Sequence, residues 1–170
     1  MRIHLYSLHG LFRAENLEIG RDADNGGQIA YVMELARALS RRPEVTHVHL
    51  FTRRIEDEAL SADYANPVEP VNEKLDIRRI GFGGKKYLPK ELLWAHLDEF
   101  VTNAVTHIKS EKIIPDWIHS HYADAGYVAS ELSAMLNVPF VHTGHSLGQP
   151  KLQKLLAGGM PEAEAMERYR

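Results

Sequence analysis

The sequence predicts an α/β domain: a Rossmann-like, doubly wound, mainly parallel sheet with helices on both faces. Two observations carry that prediction. Short β-favouring segments alternate with segments of helical apolar spacing almost throughout the 170 residues, a length suited to one well-buried core. Such alternation requires crossover connections, which set successive strands parallel and place helices over the sheet.

Residues 3–8 predict the first strand, followed by an irregular polar stretch over residues 9–25. From Gly26 the apolar residues Ile29, Val32, Met33, Ala36 and Leu39 recur at helical spacing until Pro43 ends the pattern. Residues 45–52, rich in Val, Leu and Phe, predict a second strand. Residues 53–73 carry charges, two prolines and little periodicity, so they predict a long loop of the kind that is functional or mobile. Residues 75–80 predict a third strand, and residues 81–86 a flexible basic turn. Pro89 suits a helix start, and Leu92, Leu93, Leu97, Val101, Val105 and Ile108 continue that helix. A fourth strand over residues 116–121, a helix of small residues over 124–136 and a fifth strand over 138–143 follow. The tail from Lys151 reads as two helical stretches interrupted at Gly158-Gly159-Met160-Pro161.

The hydrophobic fraction of 44% and charged fraction of 25% are those of a globular protein, and no apolar run approaches the roughly 20 residues of a membrane-spanning helix. The opening Met1-Arg2-Ile3-His4-Leu5-Tyr6 reads as a strand rather than a signal peptide. Zero cysteines exclude disulfides and thiolate chemistry and, with no export signal, suit a cytoplasmic location. A net charge of -3 without a basic stripe argues against nucleic acid. Small molecules are the expected ligands.

In open parallel sheets, ligands bind beyond the carboxyl ends of the strands. Four segments satisfy that rule: Asp24-Asn25-Gly26-Gly27-Gln28, the lysine turn with Lys85, Lys86 and Lys90, His119-Ser120-His121-Tyr122-Ala123-Asp124, and His142-Thr143-Gly144-His145-Ser146-Leu147-Gly148. Gly26 and Gly27 either let backbone amides approach an anion or only permit a tight turn into the helix. The lysines either neutralise a phosphate or form a solvated turn. His119 and His121 share a strand face, which admits a zinc site with Asp124 as third ligand. Without a helical His pair or cysteines to complete it, no metal is expected. In the other reading, His119 and His142 are core residues and only His121 and His145 face the cleft.

Together the four segments resemble the sucrose-phosphate synthases, a group of retaining GT-B glycosyltransferases. The resemblance rests on the Asp-Asn-Gly-Gly-Gln loop opening its helix, Lys86-Tyr87-Leu88-Pro89-Lys90-Glu91, His121-Tyr122-Ala123-Asp124, and Thr143-Gly144-His145-Ser146 followed by Lys151-Leu152. It implies the N-terminal, acceptor-side half of a two-domain enzyme that transfers glucose from UDP-glucose to fructose 6-phosphate with retention. Residues 1–170 would be a single, incomplete domain lacking the C-terminal UDP-glucose-binding domain, inactive alone and needing no cofactor beyond the two substrates. The resemblance places Gly26 and Gly27 at the donor diphosphate, Gln28, Lys90, Lys151 and His121 at the acceptor, and His145 at the reacting centre. Sucrose synthases, which use fructose, share the glycine loop, and a non-catalytic sugar-phosphate module is a reading of another class. The family loop more often has Thr where Asn25 stands, which puts a side-chain hydrogen bond in question.

Overall fold

The computed structural model describes residues 1–146 and 148–167, apart from the side chains of Lys151 and Glu167. Strands β1 (Arg2–Tyr6), β2 (His47–Arg53), β3 (Val68–Asn72), β4 (Leu75–Ile80), β5 (Trp117–His121) and β6 (Phe140–Thr143) form one sheet in the order β3-β4-β2-β1-β5-β6. All neighbours are parallel except β3 and β4. Helices α1 (Gly27–Ser40), α2 (Lys90–Leu93), α3 (Leu97–Ser110) and α4 (Ala123–Leu136) lie in the connections, and α5 (Gly148–Ala157) and α6 (Glu162–Glu167) follow β6. The doubly wound prediction holds, because burial follows the strand period of two. Ile3, Leu5, Val48, Leu50, Leu75 and Ile77 pack on one face against Ile29, Val32, Met33 and Ala36 of α1. Tyr6, Phe51, Ile80 and Ile118 pack on the other against Phe100 and Ala104 of α3 and Val128 and Leu132 of α4. No helix among the described residues is long and apolar enough to cross a membrane.

Two predictions need correction. The stretch over residues 53–73 is not a featureless loop: it holds a 3-10 turn at Ala62–Ala65 and the edge strand β3, antiparallel to β4. Pro70 sits within β3, tolerable because an edge strand bonds on one side only. The segment is anchored by packing, with Ile55 and Tyr64 in a small core with Leu11. Buried Arg79 ties it down further by donating to the Asn66 and Phe12 carbonyls and to the Glu69 carboxylate.

The helix predicted from Pro89 is broken at a 3-10 turn, Trp94–His96, and restarts at Leu97. Asp98 and Glu99 stand in the first turn of α3, where acidic groups complement the amino-terminal end of the helix dipole. The apolar spacing runs unbroken across this restart, so periodicity alone hides it. At the far edge of the sheet, β6 leaves Phe140 39% and Val141 45% exposed.

Candidate active-site cleft

The connections from β1 through β2 to β4 run to one side of β1, while β5 and β6 lie on the other. Chains leaving the carboxyl ends of β1 and β5 therefore diverge, and the gap between them is the ligand crevice of an open parallel sheet. A cleft of about 430 Å³ lies there, lined by His9, Asp24, Gly26, Gly27 and Gln28 after β1, Lys90 after β4, Tyr122 after β5, and His145 and Ser146 after β6. A larger polar groove, about 610 Å³, lies beside the carboxyl end of α1. Its arginines Arg13, Arg37 and Arg41 face three acids, Glu15, Asp63 and Glu69, and neither a glycine nor a histidine lines it. The smaller cleft has the chemistry.

Its floor is set by Asn25, which is 1% exposed. The side-chain oxygen accepts from the Leu11 amide at 2.7 Å, and the amide group donates to Asp22 at 2.8 Å and to the Tyr87 hydroxyl at 3.0 Å. Asn25 thus ties both ends of the β1–α1 connection to the β4–α2 turn. Gly26 follows with φ -104° and ψ -155°, a backbone any residue adopts, and Gly27 also lies outside the left-handed region. A Cβ added at either would meet no protein atom within 4 Å. Neither the turn nor the packing requires glycine here; both positions open onto empty space at a helix amino terminus. Gln28 is held over the same opening by donating to Ser7 Oγ at 3.1 Å.

The predicted lysine cluster divides. Lys85 turns away to Glu56 at 2.7 Å, whereas Lys90 enters the cleft and pairs with Asp24, whose carboxylate also accepts from the Lys90 amide at 2.8 Å. Burial alone would lower the Lys90 pKa, but the bond and charge of Asp24 outweigh it and hold it above its ordinary value. The backbone of Lys151 lies in α5; its side chain lies outside the described residues.

The histidines are arranged differently from the expectation. His142 is exposed, not a core residue, and its Nδ1 pairs with Ser120 Oγ at 2.9 Å. His121 is fully buried beneath His145, with its Nδ1 3.0 Å from His145 Nε2. Only His145 of that pair lines the cleft, and its φ of 55° places it in the left-handed region. Tyr122, at φ 75° and ψ 167°, adopts a conformation that costs a non-glycine residue about 1–3 kcal/mol. Backbone strain of this kind gathers at functional sites, and these two residues face one cleft. Asp124, the supposed third zinc ligand, turns instead to His9, and His119 Nε2 meets Thr143 Oγ1 at 2.8 Å.

His9 is the residue that sequence reading missed. It is 5% exposed, with Nδ1 2.8 Å from Asp124 Oδ2 and its ring edge-on to Tyr122. A carboxylate only accepts, so the neutral ring carries its proton on Nδ1, leaving Nε2 as an acceptor for a hydroxyl in the cleft. Its partner lies 115 residues away, beyond any local spacing signal.

Burial, followed by the charges of His119 and His145, pushes the His121 pKa from 6.5 down to about 3. The unfolded chain therefore binds more protons than the folded one between those values. The stability contribution is complete above pH 6.5 and falls as pH drops through the window, by up to ~1.4 kcal/mol per unit. Urea unfolding midpoints should decline from pH 7 to pH 4, and His121→Asn should flatten the curve. A native midpoint independent of pH there would disprove the neutral assignment.

Residues 25–168 match the sequence model described as Glycosyltransferase Family 4. The chain belongs to this family. Its family 4 relatives include "Probable sucrose-phosphate synthase 2" of Arabidopsis thaliana, 45% identical over 99% of this chain, and "Sucrose-phosphate synthase" of Spinacia oleracea, 45% identical over 96%. The family 4 chain spans 18% of the length of each. Among solved structures, it superposes on a sucrose-phosphate synthase from Thermosynechococcus elongatus with a TM-score of 0.68 and 29% identity, covering 89% of this chain and 35% of that one. The family 4 sheet and helices thus share the Rossmann-like architecture of a GT-B glycosyltransferase.

Proposed function

We propose that the cleft is the acceptor-side half of an active site that transfers glucose from UDP-glucose to fructose 6-phosphate with retention. The observation that carries this reading is the glycine pair. Required by neither backbone nor packing, Gly26 and Gly27 leave room at the amino terminus of α1 for a ligand, with Lys90 and His145 beside it. The first amides of a helix have no carbonyl of their own helix to bond, so they suit the charge that develops on the leaving diphosphate. Lys90 supplies the cation for the sugar phosphate, Lys151 of α5 a second one, and Gln28 orients the acceptor. His145 contacts the glucosyl hydroxyls at the reacting centre, and His121 holds His145 from beneath. No carboxylate of this chain acts as nucleophile; an oxygen of the leaving diphosphate takes the acceptor proton on the same face of the sugar.

In this reading turnover needs a facing domain with the uridine site. Expected results are weak binding of fructose 6-phosphate to this chain in ligand-detected NMR, with fructose weaker still, and no transfer by the chain alone. Joined to the facing domain of a plant relative, it should transfer glucose from UDP-glucose to fructose 6-phosphate. Preference for fructose would favour a sucrose synthase. Binding of sugar phosphate without transfer in the joined protein would favour a non-catalytic module.

A further inference from the structure

A second cluster of ionisable side chains lies toward the amino-terminal ends of the strands, away from the cleft. His47 and His49 are two residues apart on β2 and project from one face of the sheet, and Asp76 is the register partner of His49 on β4. One nitrogen or oxygen from each of the three lies within 4.8 Å of the others. His49, 3% exposed, has its Nδ1 2.6 Å from Asp76 Oδ1. Arg78 Nε, which can only donate, also meets Nδ1 at 3.0 Å, so this nitrogen faces a donor and an acceptor at once. His49 Nε2 is buried without a hydrogen-bond partner, and His47 Nε2, also without a hydrogen bond, lies 3.4 Å from Asp76 Oδ2; the two rings are 4.3 Å apart and tilted by 31°. Leaving a buried polar atom unsatisfied is costly, and here two sit on adjacent rings. His49 Nδ1 and His47 Nε2 thus both face the Asp76 carboxylate, so an ion seated between them would take the three groups together.

We propose that His47, His49 and Asp76 form a site for a divalent transition ion of the zinc class, a structural site independent of the transfer reaction. Imidazole nitrogens with one carboxylate suit zinc, cobalt or nickel rather than magnesium or calcium. Groups around the site set its strength. Besides His49 Nδ1, Arg78 donates to Asp76 Oδ2 at 3.1 Å and Oδ1 at 3.3 Å, while its Nη1 lies 3.2 Å from His107 Nε2 on α3. The ion therefore shares Asp76 with a guanidinium, and binding is weaker than in a closed four-ligand site. On the β1 side, the His4 ring stands edge-on to His49 at 5.2 Å.

The test is titration of the chelator-treated chain with zinc or cobalt(II) at neutral pH. One ion per chain, a visible cobalt absorption band and a raised melting temperature are expected. Binding should weaken at least tenfold in His47→Ala, at a partly exposed position, and in Asp76→Asn, with folding checked by circular dichroism. Zinc should also shift the imidazole 15N resonances of His47 and His49 in the unaltered chain, a readout independent of any variant. Absence of binding, or binding that survives His47→Ala and is lost in His119→Gln, overturns the proposal.

Discussion

Gly27→Ala should leave the fold intact, raise its stability by about 0.5 kcal/mol, and lower glucosyl transfer by the protein joined to its facing domain roughly 100-fold. The two effects have opposite signs because they come from different places. Alanine has less backbone freedom to lose on folding and is the better helix former, and the Cβ meets no protein atom within 4 Å. The same Cβ projects into the space over the first amides of α1, where a diphosphate must approach to bonding distance. A shift of even an ångström in a reacting group costs on the order of 100-fold. Melting curves and initial rates on one preparation check both halves. A variant equally active and more stable would show that the glycine pair is an accident of the turn, and the assignment of Gly26 and Gly27 to the donor would fall.

Lys90→Met should cost about 3 kcal/mol of stability as well as binding of the sugar phosphate. Asp24 is 7% exposed and its partner cation comes from Lys90, so the substitution leaves a carboxylate with little access to water and only the Lys90 amide as a donor among these contacts. Adding Asp24→Asn removes the stranded charge, so the double variant should recover most of the lost stability while still failing to bind phosphate. Urea unfolding of the four proteins in the cycle gives the coupling directly. If the double variant is no more stable than Lys90→Met, the pair is not the source of the loss. Under the proposed function the pair also bears on mechanism: the ammonium is already held in the cleft by Asp24, so an incoming phosphate would meet an oriented cation instead of ordering a free side chain.

Much of the sheet could be read from the chain because its strands are buried on both faces and its helices keep an apolar stripe. β3 could not, since an edge strand needs only one ladder of backbone bonds; Val68 and Pro70 are exposed, so its pattern does not read as half-buried. The restart at Leu97 escaped for the opposite reason, an apolar repeat too regular to show the break. In the cleft, Gly26, Gly27, Gln28, Lys90 and His145 announced themselves through loop position and resemblance. His9 did not, because its meaning depends on a carboxylate brought from the start of α4. Nor could spacing show that Lys85 would turn to Glu56, or that His121 would be sealed beneath His145. The pair of strand histidines that invited a metal in sequence, His119 and His121, bond to Thr143 and His145, while the less conspicuous His47 and His49 both meet a carboxylate, Asp76.

The two margins of the sheet are chemically unequal. On β3, Pro70 offers no amide hydrogen and the register slips between Pro70 and Asn72, so that side is a poor template for another strand. On β6, the half-exposed Phe140 and Val141 flank backbone groups that face outward in regular order. Recruitment of a further strand, whether from the same polypeptide or from a second molecule, is therefore directional: the sheet can grow past β6 and is closed to growth past β3.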